Sequence, residues 1–176
     1  MISLPGYEIL TLIYESSNSL VYQGIRQQDS QPVIVKLLKQ DYPTPQELTR
    51  YKQEYEITSN LNLDSTVKAY SLEKYQNTIA IVLEDFGGKS LRMLVSEQKF
   101  TLSEFIEISI QATESLGQIH AANVIHKDIN PSNIVFNQVT KQLKIIDFGI
   151  STVLSRENPT LKSINFIEGT LAYMSP

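Results

Sequence analysis

The chain has 176 residues, 41% of them hydrophobic, which is enough for one domain or two small lobes around a real core. Its net charge of −4, from 15 basic and 19 acidic residues, gives no sign of the basic footprint that nucleic acid requires. With no Cys and only His120 and His126, disulfides, thiolate zinc centres and cysteine nucleophiles are excluded, and a histidine-rich metal centre is not expected.

Tyr7 to Tyr14 is rich in β-branched and aromatic residues and predicts a strand. After the turn at Glu15 to Ser19, Leu20 to Arg26 and Pro32 to Leu38 predict two more strands, completing an antiparallel meander. In Pro43-Thr44-Pro45-Gln46-Glu47, Thr44 fits a helix N-cap, Pro45 the first helical position, and Glu47 closes a capping box. That helix should run to about Asn60. Val67 to Lys74 and Thr78 to Glu84 read as a hairpin turning at Gln76-Asn77, and Gly87-Gly88 marks a boundary between two lobes, 1–86 and 87–176. Beyond it, Leu91 to Glu97 predicts a short helix. Thr101 and Glu104 form a second capping box, with Phe100 and Phe105 placed as a hydrophobic staple. The helix it opens, to about His120, carries apolar residues on more than one face and is expected to be buried at a lobe centre. Ile134 to Phe136 and Leu143 to Ile146 predict a small hairpin, and Ile150 to Pro176 a long loop. No apolar run approaches the length of a membrane span, Ile79 to Leu83 being among the longest. The N-terminus lacks the basic start and clean apolar stretch of a signal peptide, so the expected compartment is the cytoplasm.

The stretch with the most chemistry is Val124 to Phe136, VIHKDINPSNIVF, a polar loop held between two apolar runs. Asp128 and Asn133, five residues apart, can converge from opposite ends of a tight loop. A carboxylate able to take a proton beside an amide oxygen able to hold a hard cation suits phosphoryl transfer. The same residue types also favour a plain surface turn, so the rest of the chain has to decide.

Lys36 lies inside the apolar strand VIVKLL, where an ammonium needs an anion unless it reaches water at an edge. The helix from Gln46 offers one: Glu54 shares a face with Tyr51, Ile57 and Leu61, whereas Glu56 lies among polar neighbours and should be solvated. Asp147 follows an apolar strand and precedes Phe148-Gly149, where glycine frees the backbone to turn; with Asn133 it makes two oxygen ligands for Mg²⁺. Asp85-Phe86-Gly87 repeats the tripeptide but precedes the polar loop, and reads as a connector.

Lys36 in VIVK, a helix Glu, HKDINPSN, DFG and GTLAYMSP, in this order, resemble the eukaryotic-type (Hanks-type) serine/threonine protein kinases. More narrowly, GIRQQDSQPVIVKLL, YSLEKYQN, LEDFGGKSL and HKDINPSNIVFN resemble the N-terminal kinase modules of bacterial hybrid proteins. In those a kinase-like domain precedes an ATPase-like region, a GAF sensor and a histidine kinase. The resemblance implies an α+β, bilobal fold: a five-stranded antiparallel N-lobe sheet with one helix, and a partial, mainly helical C-lobe ending at Ser175-Pro176. It implies ATP and Mg²⁺ as cofactors, a protein substrate, and downstream sensor and histidine-kinase domains as partners. Lys36 would hold the α- and β-phosphates and pair with Glu54. Asp128 would accept the substrate hydroxyl proton, and Asn133 and Asp147 would hold Mg²⁺. Val21, Ile34 and Val135 would enclose the adenine, Leu83 would be the gatekeeper, and Glu84 to Phe86 the hinge. Thr170 would support the catalytic loop, and His126 would be a post beneath Phe148.

The chain also departs from the family. The three glycine positions of the phosphate-covering loop fall on Tyr14, Ser16 and Ser19, and Ile34 replaces the usual alanine over the adenine. Asn130 replaces a lysine whose charge would face the γ-phosphate, and Lys127 replaces an arginine. The usual phosphorylation position is Phe166, leaving Thr160 and Ser163 as candidates. The helices that complete the larger lobe in the family are missing from this sequence, as in a fragment or a shortened gene product. Three functions remain: a protein serine/threonine kinase domain, a pseudokinase-type regulatory module, and a small-molecule phosphotransferase of the aminoglycoside type.

Overall fold

A computed structural model describes residues 2–154 and 169–174. Thr160, Ser163, Phe166 and the terminal Ser175-Pro176 lie outside the described residues. The chain divides into two compact units, Met1–Asn60 with Val67–Phe86, and Leu61–Thr66 with Gly87–Pro176.

The first unit is a five-stranded antiparallel sheet with one helix. Strands β1 (Tyr7–Glu15), β2 (Ser19–Arg26), β3 (Gln31–Leu38), β4 (Ala69–Tyr75) and β5 (Thr78–Glu84) lie in the order β1-β2-β3-β5-β4. The alternation of β3 sends its side chains to opposite faces. Val33, Val35 and Leu37 join Leu4, Ala80 and Val82 in one core cluster. Leu38 and Ile81 form the other with Tyr51 of helix α1 (Pro45–Asn60). The α1 capping box forms: Glu47 Oε2 accepts from the Thr44 amide at 2.8 Å, and Thr44 Oγ1 accepts from the Glu47 amide at 3.3 Å. Gly24 is needed for close strand approach, because a Cβ there would lie 2.7 Å from the Glu8 carbonyl oxygen. Strand β4 starts two residues later than the sequence suggests. The Lys68 amide turns to Glu84 Oε2 at 3.2 Å, a side chain rather than a ladder partner.

The second unit contains β6 (Lys89–Ser90), α2 (Leu91–Glu97), α3 (Leu102–Ala121), β7 (Val124–Ile125), β8 (Ile134–Phe136), β9 (Leu143–Ile145) and β10 (Thr152–Val153). A short 3₁₀ turn, Leu171–Tyr173, follows. Strands β6, β8 and β9 form one small sheet, and β7 pairs with β10. Leu61–Thr66 belongs to this unit because the Ile145 amide donates to the Ser65 carbonyl at 2.9 Å and Ser65 Oγ donates to Gln118 Oε1 at 2.7 Å.

Two expectations need correction. Helix α3 has its Thr101–Glu104 capping box, but it is not buried all round. Ile108, Ser115 and Ile119 form its one buried stripe, while Leu102, Phe105, Ile106 and Ile110 are 47–74% exposed. Apolar residues on several faces guarantee burial only where an element covers each face, and among the described residues none covers this one. The segment after Gly149 is not loop throughout either. Thr152 and Val153 pair with Ile125 and Val124, a ladder too short to show in periodicity.

Candidate active site

In the first unit, β3 places Lys36 opposite Val21 of β2 and Ile81 of β5. Its Nζ donates to Glu54 Oε1 at 2.6 Å, with the two side chains only 11% and 6% exposed. Tyr51, one turn before Glu54 on α1, lies with its ring centroid 5.6 Å from Lys36 Nζ. Its hydroxyl meets Ser19 Oγ at 2.5 Å, in a buried contact. Ile34 lies opposite Gln23 and Leu83, and Val21, Ile34, Leu83, Glu84 and Phe86 are all half-buried. Val21, Ile34, Lys36 and Leu83 therefore share one sheet face, because directly opposed residues of antiparallel strands point the same way.

The turn at Glu15 to Ser19 is closed on itself. Ser16 Oγ accepts from the amides of Ser19 at 3.0 Å and Asn18 at 3.3 Å, and the Ser16 amide donates to the Ser19 carbonyl at 2.9 Å. A serine hydroxyl thus uses two backbone donors that a glycine would leave available.

In the second unit, the polar loop is held by its own side chains. Asn133 Nδ2 donates to the Asp128 carbonyl oxygen at 2.9 Å and to Asp128 Oδ2 at 3.0 Å. Asp128 Oδ1 accepts from Thr170 twice, from the amide at 2.9 Å and from Oγ1 at 2.7 Å. Asn130 is buried; it donates to Thr170 Oγ1 at 3.3 Å and to the Asp128 carbonyl at 3.2 Å, and its Oδ1 accepts from the Ser132 amide at 2.8 Å. The approach of Thr170 depends on Gly169, at φ +118°, where a Cβ would lie 2.8 Å from the Lys127 carbonyl oxygen.

His126 is a buried strut. Its Nδ1 accepts from the Asp128 amide at 3.2 Å, so the proton is on Nε2, which donates to the Ile146 carbonyl at 3.0 Å. Its ring meets the fully buried Phe148 edge-on, with centroids 4.9 Å apart. Burial pulls the His126 pKa below its usual value, keeping the ring neutral. Lys127 and Asp147 both have φ +68°, a left-handed backbone uncommon for non-glycine residues and often found where a site constrains it.

Asn133 directly precedes β8, and Asp147 lies two residues beyond the end of β9. The Ile146 amide donates to the Asn133 carbonyl at 2.9 Å, extending the β8–β9 ladder to the level of both side chains. Since its Nδ2 is committed to Asp128, the amide oxygen is the end of Asn133 left to meet a cation. An amide oxygen and a carboxylate suit Mg²⁺, which keeps several waters and takes few protein ligands. Among the described residues no cluster of three or more His, Cys, Asp or Glu offers a larger metal cage. Val135, half-buried in β8, lies opposite Lys144.

The sequence does not reveal the bond between Ser19 and Tyr51. Ser19 and Tyr51 are 32 residues apart and meet only through the fold, so local pattern carries no trace of the bond. Gly169 leaves a weak signal, a glycine directly before the threonine that reaches Asp128.

The protein kinase domain family matches residues 7–176. A probable serine/threonine-protein kinase of Clostridium perfringens is 30% identical over 97% of this chain and 25% of its own length. Serine/threonine-protein kinase PrkC of Bacillus subtilis is 28% identical over 97% of this chain and 26% of its own. Serine/threonine-protein kinase TIO of Arabidopsis thaliana is 27% identical over 98% of this chain and 13% of its own. The chain thus spans about a quarter or less of these curated relatives. With the family matching nearly the whole chain, and with the antiparallel sheet, the Lys36–Glu54 pair and the Asp128 loop in place, this chain belongs to the protein kinase domain family.

Proposed function

We propose that this chain is the kinase domain of a protein serine/threonine kinase, transferring the γ-phosphoryl group of ATP to a protein hydroxyl. The observation that carries the reading is the state of Asp128, held through Oδ2 by Asn133 and through Oδ1 by Thr170. A carboxylate fixed in this way can orient a substrate hydroxyl and take its proton as the new bond forms. Lys36, steadied by Glu54, would bind the α- and β-phosphate oxygens. Val21, Ile34, Leu83, Glu84, Phe86 and Val135 would receive the adenine. Asn133 and Asp147 would hold Mg²⁺, which when bound offsets phosphate charge. The names of the relatives support serine/threonine specificity. Action in the cytoplasm belongs to this reading as an expectation; among the described residues no helix is long and apolar enough to cross a membrane. Downstream sensor and histidine-kinase domains as partners rest on the resemblance alone.

A second reading, a nucleotide-binding module without transferase activity, is favoured by the turn closed by Ser16 and the uncharged Asn130. The two separate by measuring Mg·ATP binding and phosphate transfer to a generic protein substrate for wild type and Asp128→Ala, in the protein at its natural length. Transfer that disappears in Asp128→Ala supports the kinase. Binding without Asp128-dependent transfer supports the module. Transfer to an amino sugar but not to protein would place the chain with small-molecule phosphotransferases.

A further inference from the structure

The position that would be the third glycine of a phosphate-covering loop is Ser19, and its hydroxyl points inward. It lies 2.5 Å from the Tyr51 hydroxyl, with both residues buried, at 8% and 7% exposure. Tyr51 and Glu54 are one turn apart on α1 and share its inward face. Lys36 Nζ bonds to Glu54 and lies over the Tyr51 ring. The same ring therefore touches the turn through its hydroxyl and the lysine through its face. We propose that Tyr51 is a positioning residue that locks the Glu15–Ser19 turn to the Lys36–Glu54 pair, compensating for the missing glycines by setting turn and lysine as one unit.

The geometry gives the link its direction. Any shift of α1 that draws Glu54 from Lys36 also carries the Tyr51 hydroxyl from Ser19, because three residues of helix separate them. Conversely, a turn lifted from the sheet loses Ser19 Oγ and releases one end of the ring beside Lys36. The turn's other ties are the β2–β3 ladder, in which Ser19 lies opposite Leu38, the Ser16 bonds to the Asn18 and Ser19 amides, the Lys39 amide to the Asn18 carbonyl, and an exposed Lys39–Glu15 pair. The ladder seats the turn on the strand of Lys36, but none of these ties bonds to the Lys36 side chain. In the nucleotide reading above, on which the functional consequence rests, the turn and Lys36 both address phosphate oxygens. Locking them lowers the ordering cost of binding, so the effect falls on ATP affinity rather than on transfer.

The test compares Ser19→Ala, Tyr51→Phe and the double variant in the protein at its natural length, each checked for wild-type circular dichroism. Tyr51→Phe keeps the ring in place and removes only the hydroxyl. Each single change should raise the KM for ATP about fivefold, the worth of one buried hydrogen bond, with kcat within about twofold. The double variant should be no worse than either single, since both remove the same bond. A readout without nucleotide accompanies it: the rate at which an amine-acylating reagent labels Lys36. Ser19→Ala, which has no bond to Lys36 or Glu54, should speed that labelling. An unchanged Lys36 labelling rate, or additive KM effects, overturns the proposal. Failure of the wild type to bind Mg·ATP overturns the nucleotide reading instead, and Lys36 labelling then still decides the link.

Discussion

Asn130 donates to Thr170 Oγ1 at 3.3 Å, and Thr170 Oγ1 in turn donates to Asp128 Oδ1 at 2.7 Å. A relay of neutral groups thus stands where the resemblance leads one to expect a cation. The asparagine also turns the loop by accepting from the Ser132 amide, so it is structural as well as electrostatic. Asn130→Ala should destabilise the fold by about 1–3 kcal/mol, measured by urea unfolding, because a buried residue loses its partners. Asn130→Lys should increase kcat for transfer about tenfold by placing charge near the developing phosphate, at a stability cost of about 1 kcal/mol for the lost acceptor. A kcat unchanged by the lysine would mean that charge at this position does not limit the reaction.

The Lys36–Glu54 pair is nearly inaccessible to solvent, and its 2.6 Å contact leaves little room for water between the charges. Removing one partner takes from the other its short contact in a site nearly closed to water. Lys36→Met or Glu54→Leu alone should therefore lower stability by about 3–5 kcal/mol, whereas the double replacement should be much milder, because neither charge of the pair remains. Denaturant titration of the three variants gives the comparison, and equal losses in all three would show that the pair is solvated in solution.

Gly169 brings Thr170 to Asp128 through a backbone that other residues rarely adopt. At φ +118°, a methyl group would meet the Lys127 carbonyl at 2.8 Å and Met174 Cε at 3.1 Å. Backbone cannot yield as a flexible side chain can, so Gly169→Ala should displace Thr170 and release Asp128 Oδ1. Transfer should fall by about 10²-fold, the effect of misplacing a catalytic group by about an ångström, while ATP affinity stays near wild type. Steady-state kinetics separate the two, and retained kcat would show that Asp128 needs no help from this side.

How much of this is legible without a structure depends on whether the physics is local. Strands β1 to β3 and both capping boxes announce themselves because β-branched runs and Thr-x-x-Glu spacings act within a few residues. Lys36 and Glu54 are legible for another reason: each is a charge in an apolar setting, and each needs the other. The exposed face of α3 is not legible, since Phe105 and Ile110 look the same in a sequence whether or not something covers them. Nor is the Ser19–Tyr51 contact, where two ordinary hydroxyls meet between the start of β2 and a helix.

Both ring nitrogens of His126 are in use, one accepting from the Asp128 amide and one donating to the Ile146 carbonyl, so protonation would break the first bond and place a charge in a buried site. Burial is the main cause of its lowered pKa, opposed by the Ile146 bond and by Asp147 and Asp128. In the unfolded chain the imidazole titrates near its usual value of about 6.5. Between that value and the lower folded one, the unfolded state binds more protons, so stability falls as pH drops through this window and is complete above it. The carboxylates with lowered values, Asp29, Glu47 and Glu104, begin to lose their contributions only as pH falls through the ordinary carboxylate range of about 4, so they do not set the onset of the loss. Urea unfolding from pH 7.5 to 5 should therefore show a loss beginning near about pH 6.5. His126→Gln, which removes the titrating ring, should be less stable throughout but flat over the same range. A slope that persists in that variant would assign the loss to another group.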